Sequence, residues 1–250
     1  MSKKIVQRRQ EILSLVNEYG TIDFFEIRRR FPDVSEVTLR KDLSYLDETQ
    51  KIMRTHGGAK SIPSALNYYY RSSINIHEKQ EIAKKAAALI NEGDSIFISA
   101  GTTCAELAKV LPEYPLCVCS DGVYTVSNIA NQSNISVELL GGEVDLNIMR
   151  VEGPTVLNRL ENKHFSLAFI GAFSIHPELG FSHGSSMTTA ILERVIENSE
   201  KNVVLADSEK FNFAFTQHRI PLEHIDCIVT DGNIPKEYQL AFQSKGITVI

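Results

Sequence analysis

Between positions 35 and 45 the chain carries Ser35, Val37, Thr38, Arg40, Lys41, Ser44 and Tyr45. Placed on a helix at 100° per residue, Val37 and the residues after it fall opposite Leu39, Leu43 and Leu46. Two cations, several hydroxyls and one exposed apolar group suit a DNA major groove. Arg and Lys reach guanine edges or phosphates, hydroxyls serve either, and Val37 meets a thymine methyl. Alone, the same face reads equally well as a solvated helix surface. Arg54, His56, Gly57, Gly58 and Lys60 follow. They read as a glycine turn flanked by basic residues, a two-stranded wing that would lie against sugar-phosphate backbone.

A second set of candidates recurs just after short apolar runs. Gly101, Thr102 and Thr103 open a helix, where a glycine, two hydroxyls and unsatisfied N–H groups make an anion site suited to phosphate. A plain strand-to-helix turn with a threonine cap is the alternative. Asp121, the pair Gly141 and Gly142, Gly171, and Asp207 with Lys210 stand at equivalent places, where open α/β sheets bind ligands. In this reading phosphate sits at 101–103, Lys210 supplies a cation, and Asp121 or Asp207 grips hydroxyls. Asp207 and Lys210 read equally as a helix-capping acid and a solvated lysine.

These residues need particular elements to position them. Residues 7–19 have helical spacing of Ile12, Leu15, Val16 and Tyr19, and Gly20 ends that helix. Residues 21–23 open a short helix over 23–30, with Phe24 and Ile27 inward. Ser35 caps the third helix, and the three together make a helix-turn-helix. From residue 78 onward, helical patterns (78–91, 104–111, 122–131, 155–160, 188–198, 236–245) alternate with short β-rich runs (95–99, 116–119, 136–140, 167–170, 203–206, 227–230, 248–249). The expected fold is a small α+β winged helix-turn-helix domain followed by an α/β domain with a mostly parallel sheet. The expected division is 1–60, a linker or arm over 61–77, and 78–250. Tyr68, Tyr69 and Tyr70 suggest an extended arm.

The run Ser35-Glu-Val-Thr-Leu-Arg-Lys-Asp-Leu43, followed by Arg54-Thr-His-Gly-Gly-Ala59, resembles the amino-terminal signature of the DeoR family of bacterial transcription regulators. Gly101-Thr-Thr, Leu140-Gly-Gly, Ala168-Phe-Ile-Gly171 and Asp207-Ser-Glu-Lys210 resemble that family's effector domain, which is similar in fold to ribose-5-phosphate isomerase. The resemblance implies a winged helix-turn-helix joined to a sugar-phosphate-sensing domain, with double-stranded operator DNA as partner and repression as the commoner behaviour. Lys41 stands where the family usually has a second arginine, Asp121 where it often has asparagine, and 187–189 where a more polar run is usual. The isomerases carry an Asp-Gly-Ala-Asp-Glu run, whereas the similar stretch here is Ile170-Gly-Ala-Phe-Ser174. Phe173 stands where a carboxylate would shuttle a proton, so a regulator is expected rather than an enzyme. The alternatives are a regulator answering to a non-phosphorylated ligand and a phosphosugar isomerase-like enzyme.

Composition adds bounds. The chain of 250 residues has a net charge of −5. Residues 1–60 hold twelve Lys/Arg against nine Asp/Glu, a net of +3, leaving fourteen against twenty-two, or −8, in the rest. Only the first part has the sign that a polyanion attracts. No segment is apolar for long enough to span a membrane. The charged first ten residues lack a secretory pattern, so a cytoplasmic place is expected. Cys104, Cys117, Cys119 and Cys227 lack metal-site spacing and read as buried thiols; no metal or cofactor is expected. One winged helix reaches few bases, so a homodimer or larger homo-oligomer is expected.

Overall fold

The structure, a computed structural model, describes residues 3–48, 51–61, 68–130, 132–211 and 218–250. The chain divides into two units, Met1–Arg71 and Ser72–Ile250. Part of the expected linker, 62–67, and the expected end of a helix at Asn131 lie outside the described residues.

The first unit runs α1 (Lys3–Tyr19), β1 (Thr21–Asp23), α2 (Phe24–Arg30), α3 (Glu36–Glu48), β2 (Ile52–Thr55) and β3 (Gly58–Ser61). Gly20, at φ +71°, ends α1 in the left-handed conformation that glycine adopts without penalty. Asp23 caps α2, its Oδ1 accepting the Glu26 N–H at 2.8 Å. Ser35 Oγ accepts the Thr38 N–H at 3.3 Å and starts α3. Ile12, Val16, Ile22, Ile27, Leu39, Leu43, Leu46 and Ile52 form one buried cluster. Tyr19, the last residue of that spacing, is largely exposed, and its hydroxyl accepts from Arg30 Nη2 at 2.9 Å.

Residues 21–23 do not open the second helix. They form a third strand, β1, which pairs antiparallel with β3 and sets Ile22 opposite Ala59. The reason is Gly58. A Cβ there would stand 2.1 Å from the Ile22 carbonyl oxygen, so only glycine lets β1 close on β3. Gly57 beside it has open space around its Cβ position.

The residues from 68 onward run α4 (Tyr68–Ser73), α5 (Ile76–Ala87), β4 (Ser95–Ile98), α6 (Thr102–Lys109), β5 (Leu116–Ser120), α7 (Val123–Ile129), β6 (Ile135–Leu139), β7 (Glu143–Asp145), β8 (Arg150–Glu152), α8 (Pro154–Leu160), β9 (Leu167–Gly171), β10 (Ser174–His176), β11 (Gly180–Ser182), α9 (Ser186–Glu197), β12 (Asn202–Leu205), β13 (Arg219–Ile220), β14 (Cys227–Val229), α10 (Lys236–Ser244) and β15 (Thr248–Val249). The stretch expected as an extended arm is helical in α4, with Tyr68 buried and Tyr69 exposed. Among the described residues β15-β14-β12-β9-β4-β5-β6 form a parallel sheet of seven strands.

Side chains alternate across that sheet. Phe97, Ala168, Ile170, Val204 and Ile228 pack with α8, α9 and α10 on one face. Ile96, Ile98, Val118, Phe169, Val203 and Val229 pack with α5, α6 and α7 on the other. With both faces covered, the strands read as apolar runs. Two small antiparallel elements escaped that pattern: the hairpin β7–β8 and the sheet β10-β11-β13. Three-residue strands are too short to show a period, and β13 pairs with β11 across a long insertion.

Strand order reverses at β4. The chain steps from β4 to β5 and β6 on one side, then crosses to β9, β12, β14 and β15 on the other. The β4 and β9 carboxyl ends therefore flank the crevice where open α/β sheets bind ligands.

Gly58→Ala is expected to lose roughly 1–3 kcal/mol in urea denaturation of the full chain, as overpacking against rigid backbone does. Gly57→Ala should stay within about 0.5 kcal/mol of the parent. Equal midpoints for the two variants would contradict this account of β1.

Candidate DNA-binding face and small-molecule site

α3 is held in place by a buried carboxylate. Asp42 lies on its inner face beside Leu39 and Leu43, where it accepts from Arg8 Nε at 2.6 Å and Arg9 Nε at 2.7 Å. Two cations from α1 compensate a charge that would be costly alone. The opposite side is then turned outward. Val37 is 64 % exposed, and Arg40 and Lys41 are exposed beside it. The Arg40 guanidinium lies 4.1 Å over the Phe24 ring, which stiffens its long side chain.

Other candidates are committed within the fold. Ser35 and Thr38 share a 2.8 Å hydroxyl contact at the helix cap. Tyr45 lies half-buried against the core with Arg9 3.7 Å over its ring, so it turns toward α1 rather than outward. Ser44 Oγ accepts from Arg54 Nη1 at 2.8 Å, and the Arg54 N–H donates to Asp47 Oδ1 at 2.9 Å. These two bonds tie β2 to α3. His56 and Gly57 stand exposed at the wing turn, whereas Gly58 is buried against β1 and answers to packing. The sequence reading missed Asp42, although its place one residue before Leu43 put it on the stripe's flank.

In the second unit Gly101 has φ +153° and ψ +156°, a region that is essentially glycine's own. No atom lies within 4 Å of its Cβ position. It leads into α6, whose first turn has no side-chain cap, while Thr102 and Thr103 are buried. Orphan N–H groups and the dipole of α6 thus face the crevice. Across it Gly171 donates its N–H to Ser99 Oγ at 3.2 Å, joining the β4 and β9 loops.

Asp121 does not reach into the crevice as a hydroxyl grip. It is fully buried; its Oδ1 accepts the Ala100 N–H at 2.6 Å, and its Oδ2 lies 3.2 Å from Arg150 Nε. Arg150 Nη2 in turn donates to the Ala100 carbonyl at 3.1 Å. The pair clamps the main chain that precedes Gly101. Burial pushes the Asp121 carboxyl above its ordinary range, with Arg150 and then the Ala100 N–H pulling against it. Gly122 completes the clamp, because a Cβ there would come within 2.9 Å of Ala100 Cα.

Gly141 and Gly142 also serve the fold. Gly142, at φ +121°, would drive a Cβ to 2.6 Å from the Glu152 carbonyl, so it is the turn that admits β7–β8. On the other side Asp207 is buried, and Lys210 Nζ stands 3.9 Å from its Oδ2. Neighbouring strands are about 4.8 Å apart, which sets the loops after β6 and β12 about 19 Å from each other. Gly101, Thr102, Thr103 and Gly171 lie centrally. Buried Lys79, its Nζ donating to the Ile74 carbonyl at 2.5 Å, was missed. Its spacing before Ile82 and Ala86 places it on the inner face of α5. Arg150 was missed too, and no local pattern marks it. Burial pushes the Cys104 thiol beside the turn up to about 11. Cys119 and Cys227 are buried as expected, but Cys117 is exposed, facing an open recess beside Lys163.

Residues 8–65 match the model of the DeoR-like helix-turn-helix domain, and residues 74–232 match that of the DeoR C terminal sensor domain. The chain is 34% identical to the HTH-type transcriptional regulator GolR of Listeria innocua, over 97% of both chains. It is 32% identical to the lactose phosphotransferase system repressor of Lactococcus lactis, over 95% of this chain and 94% of that one. The structure of ribose 5-phosphate isomerase A from Methanocaldococcus jannaschii is similar over 55% of both chains, with 19% identity and a TM-score of 0.39.

Asp121→Ala is expected to cost about 3–5 kcal/mol in urea denaturation without added ligand, because Arg150 would keep a buried charge without its partner. A loss below about 1 kcal/mol would show that the carboxylate is not part of the frame.

Proposed function

This chain belongs to the DeoR family of DNA-binding transcriptional regulators and is not an enzyme; we propose that it is an operator-specific repressor released from DNA by a phosphorylated sugar or related metabolite. The outward face of α3 carries the DNA half of this reading. Arg40 and Lys41 read bases, Val37 meets a thymine methyl, and Arg54 and His56 hold phosphates. The glycine turn at 101–103 carries the ligand half, because its conformation and its open N–H groups suit a phosphate. Lys210 is the cation on the β12 side. Phe173, buried where the isomerases carry an acid, fits a site that binds without turning over. The lactose phosphotransferase system repressor among its relatives supports both the repressor role and a sugar-derived signal. A homodimer supplies the second half-site that one winged helix lacks.

On an operator enriched from random DNA, Arg40→Ala or Lys41→Ala should weaken binding by roughly 1–3 kcal/mol and relax specificity at one position. Arg54→Ala should weaken all sequences alike and flatten the salt dependence. An Arg40→Ala, Lys41→Ala double variant that binds like the parent would rule out this face. For the ligand half, a sugar phosphate that raises the melting temperature should lower DNA affinity, and DNA should lower affinity for that compound by the same factor. Tighter DNA binding with ligand would reverse the sign, making the metabolite a co-repressor. Unchanged DNA affinity at saturation would remove the regulatory role.

A further inference from the structure

Strand β8 carries two buried polar atoms without partners, one on Arg150, which also holds the Ala100 carbonyl, and one on Glu152. Arg150 is 3 % exposed, and its Nη1 has no acceptor; Glu152 Oε2 has no donor. Residues two apart on a strand share a face, so the two side chains stand side by side on β8. Their position is set by the main chain. Val151 donates its N–H to the Asp121 carbonyl at 2.8 Å, and Val123 donates to the Met149 carbonyl at 3.0 Å, which fastens β8 over the end of β5. Arg150 Nη2 already holds the Ala100 carbonyl, one residue before Gly101. An unmet donor and an unmet acceptor, both shielded from water, are costly unless something joins them.

We propose that Arg150 and Glu152 read a hydroxyl of the effector: one oxygen accepts from Arg150 Nη1 and donates its proton to Glu152 Oε2. The proposal rests on the phosphate reading of the turn at 101–103. A neutral hydroxyl fits better than a second anion, since Asp121 already balances Arg150, and Asp145 and Glu143 oppose β8 in the hairpin register. Burial and then Asp145 raise the Glu152 carboxyl above its ordinary range, as befits an acid short of donors. The ligand class is therefore a phosphorylated polyhydroxy compound. The pair gives the site selectivity against phosphates that lack hydroxyls, because a site built to bond a hydroxyl rejects analogues without one.

The test is calorimetric titration of the full chain with inorganic phosphate, phosphoenolpyruvate, glycerol 3-phosphate, ribose 5-phosphate, glucose 6-phosphate and fructose 6-phosphate. The parent should prefer at least one hydroxyl-bearing phosphate over phosphoenolpyruvate. Glu152→Ala should weaken that compound about tenfold, the worth of one such hydrogen bond, and leave inorganic phosphate within about twofold, well below that bond's worth. Arg150→Met should show the same selectivity loss, but it strands Asp121 and carries a folding cost. Glu152 is only half-buried, so Glu152→Ala keeps the test open. Unaltered selectivity in Glu152→Ala overturns the hydroxyl pair alone. Failure of every phosphate to bind the parent overturns the phosphate reading and this pair with it.

Discussion

A carboxylate taken out of water must meet a cation or N–H donors, and each unit of this chain is arranged around one that does. In the first unit Asp42 meets Arg8 and Arg9 and pins α3 to α1. In the second Asp121 meets Arg150 and the Ala100 N–H, pinning the turn that leads to Gly101. Both carboxylates are buried. Each fixes the main chain next to candidate contact residues, so that Arg40 and Lys41 are directed outward and Gly101 is held in a conformation open to glycine alone.

Steric limits explain why glycines cluster where main chains converge. Gly58 admits β1 beside β3, Gly122 admits the β4 loop beside the β5 loop, and Gly142 admits β8. At each, a Cβ would strike backbone, which cannot move aside as a flexible side chain can. Gly57 and Gly101 differ, for open space surrounds both. A glycine that packing does not demand leaves the main chain open to approach, at the wing turn and at the start of α6.

The parallel sheet supplies the frame. Reversal of strand order at β4 brings the β4 and β9 loops together at one crevice, and the Ser99 hydroxyl bridges them through the Gly171 N–H. The hairpin β7–β8 then closes over the β5 side. Polar strand ends farther out, at Gly141 and at Asp207, belong to the rims of this arrangement. A row of similar strand ends in sequence is thus sorted by strand order into a centre and two flanks.

Much of this was legible in the residues themselves. The Leu39, Leu43 and Leu46 stripe marked α3 and its outward face, the wing showed in its glycine turn, and apolar runs between helices marked a buried parallel sheet. The turn at 101–103 was legible because its glycine, hydroxyls and helix start are adjacent in the chain. Other features were decided only by tertiary structure. Asp121 looked like a ligand contact and is a clamp, because Arg150 reaches it from a hairpin twenty-nine positions on. Gly58 looked like part of a turn and is a packing requirement, because its neighbour is Ile22. Periodicity and turn chemistry are local and survive in a linear sequence. The partner of a buried charge, or of a strand three residues long, is set by which distant segments meet, and no local pattern records it.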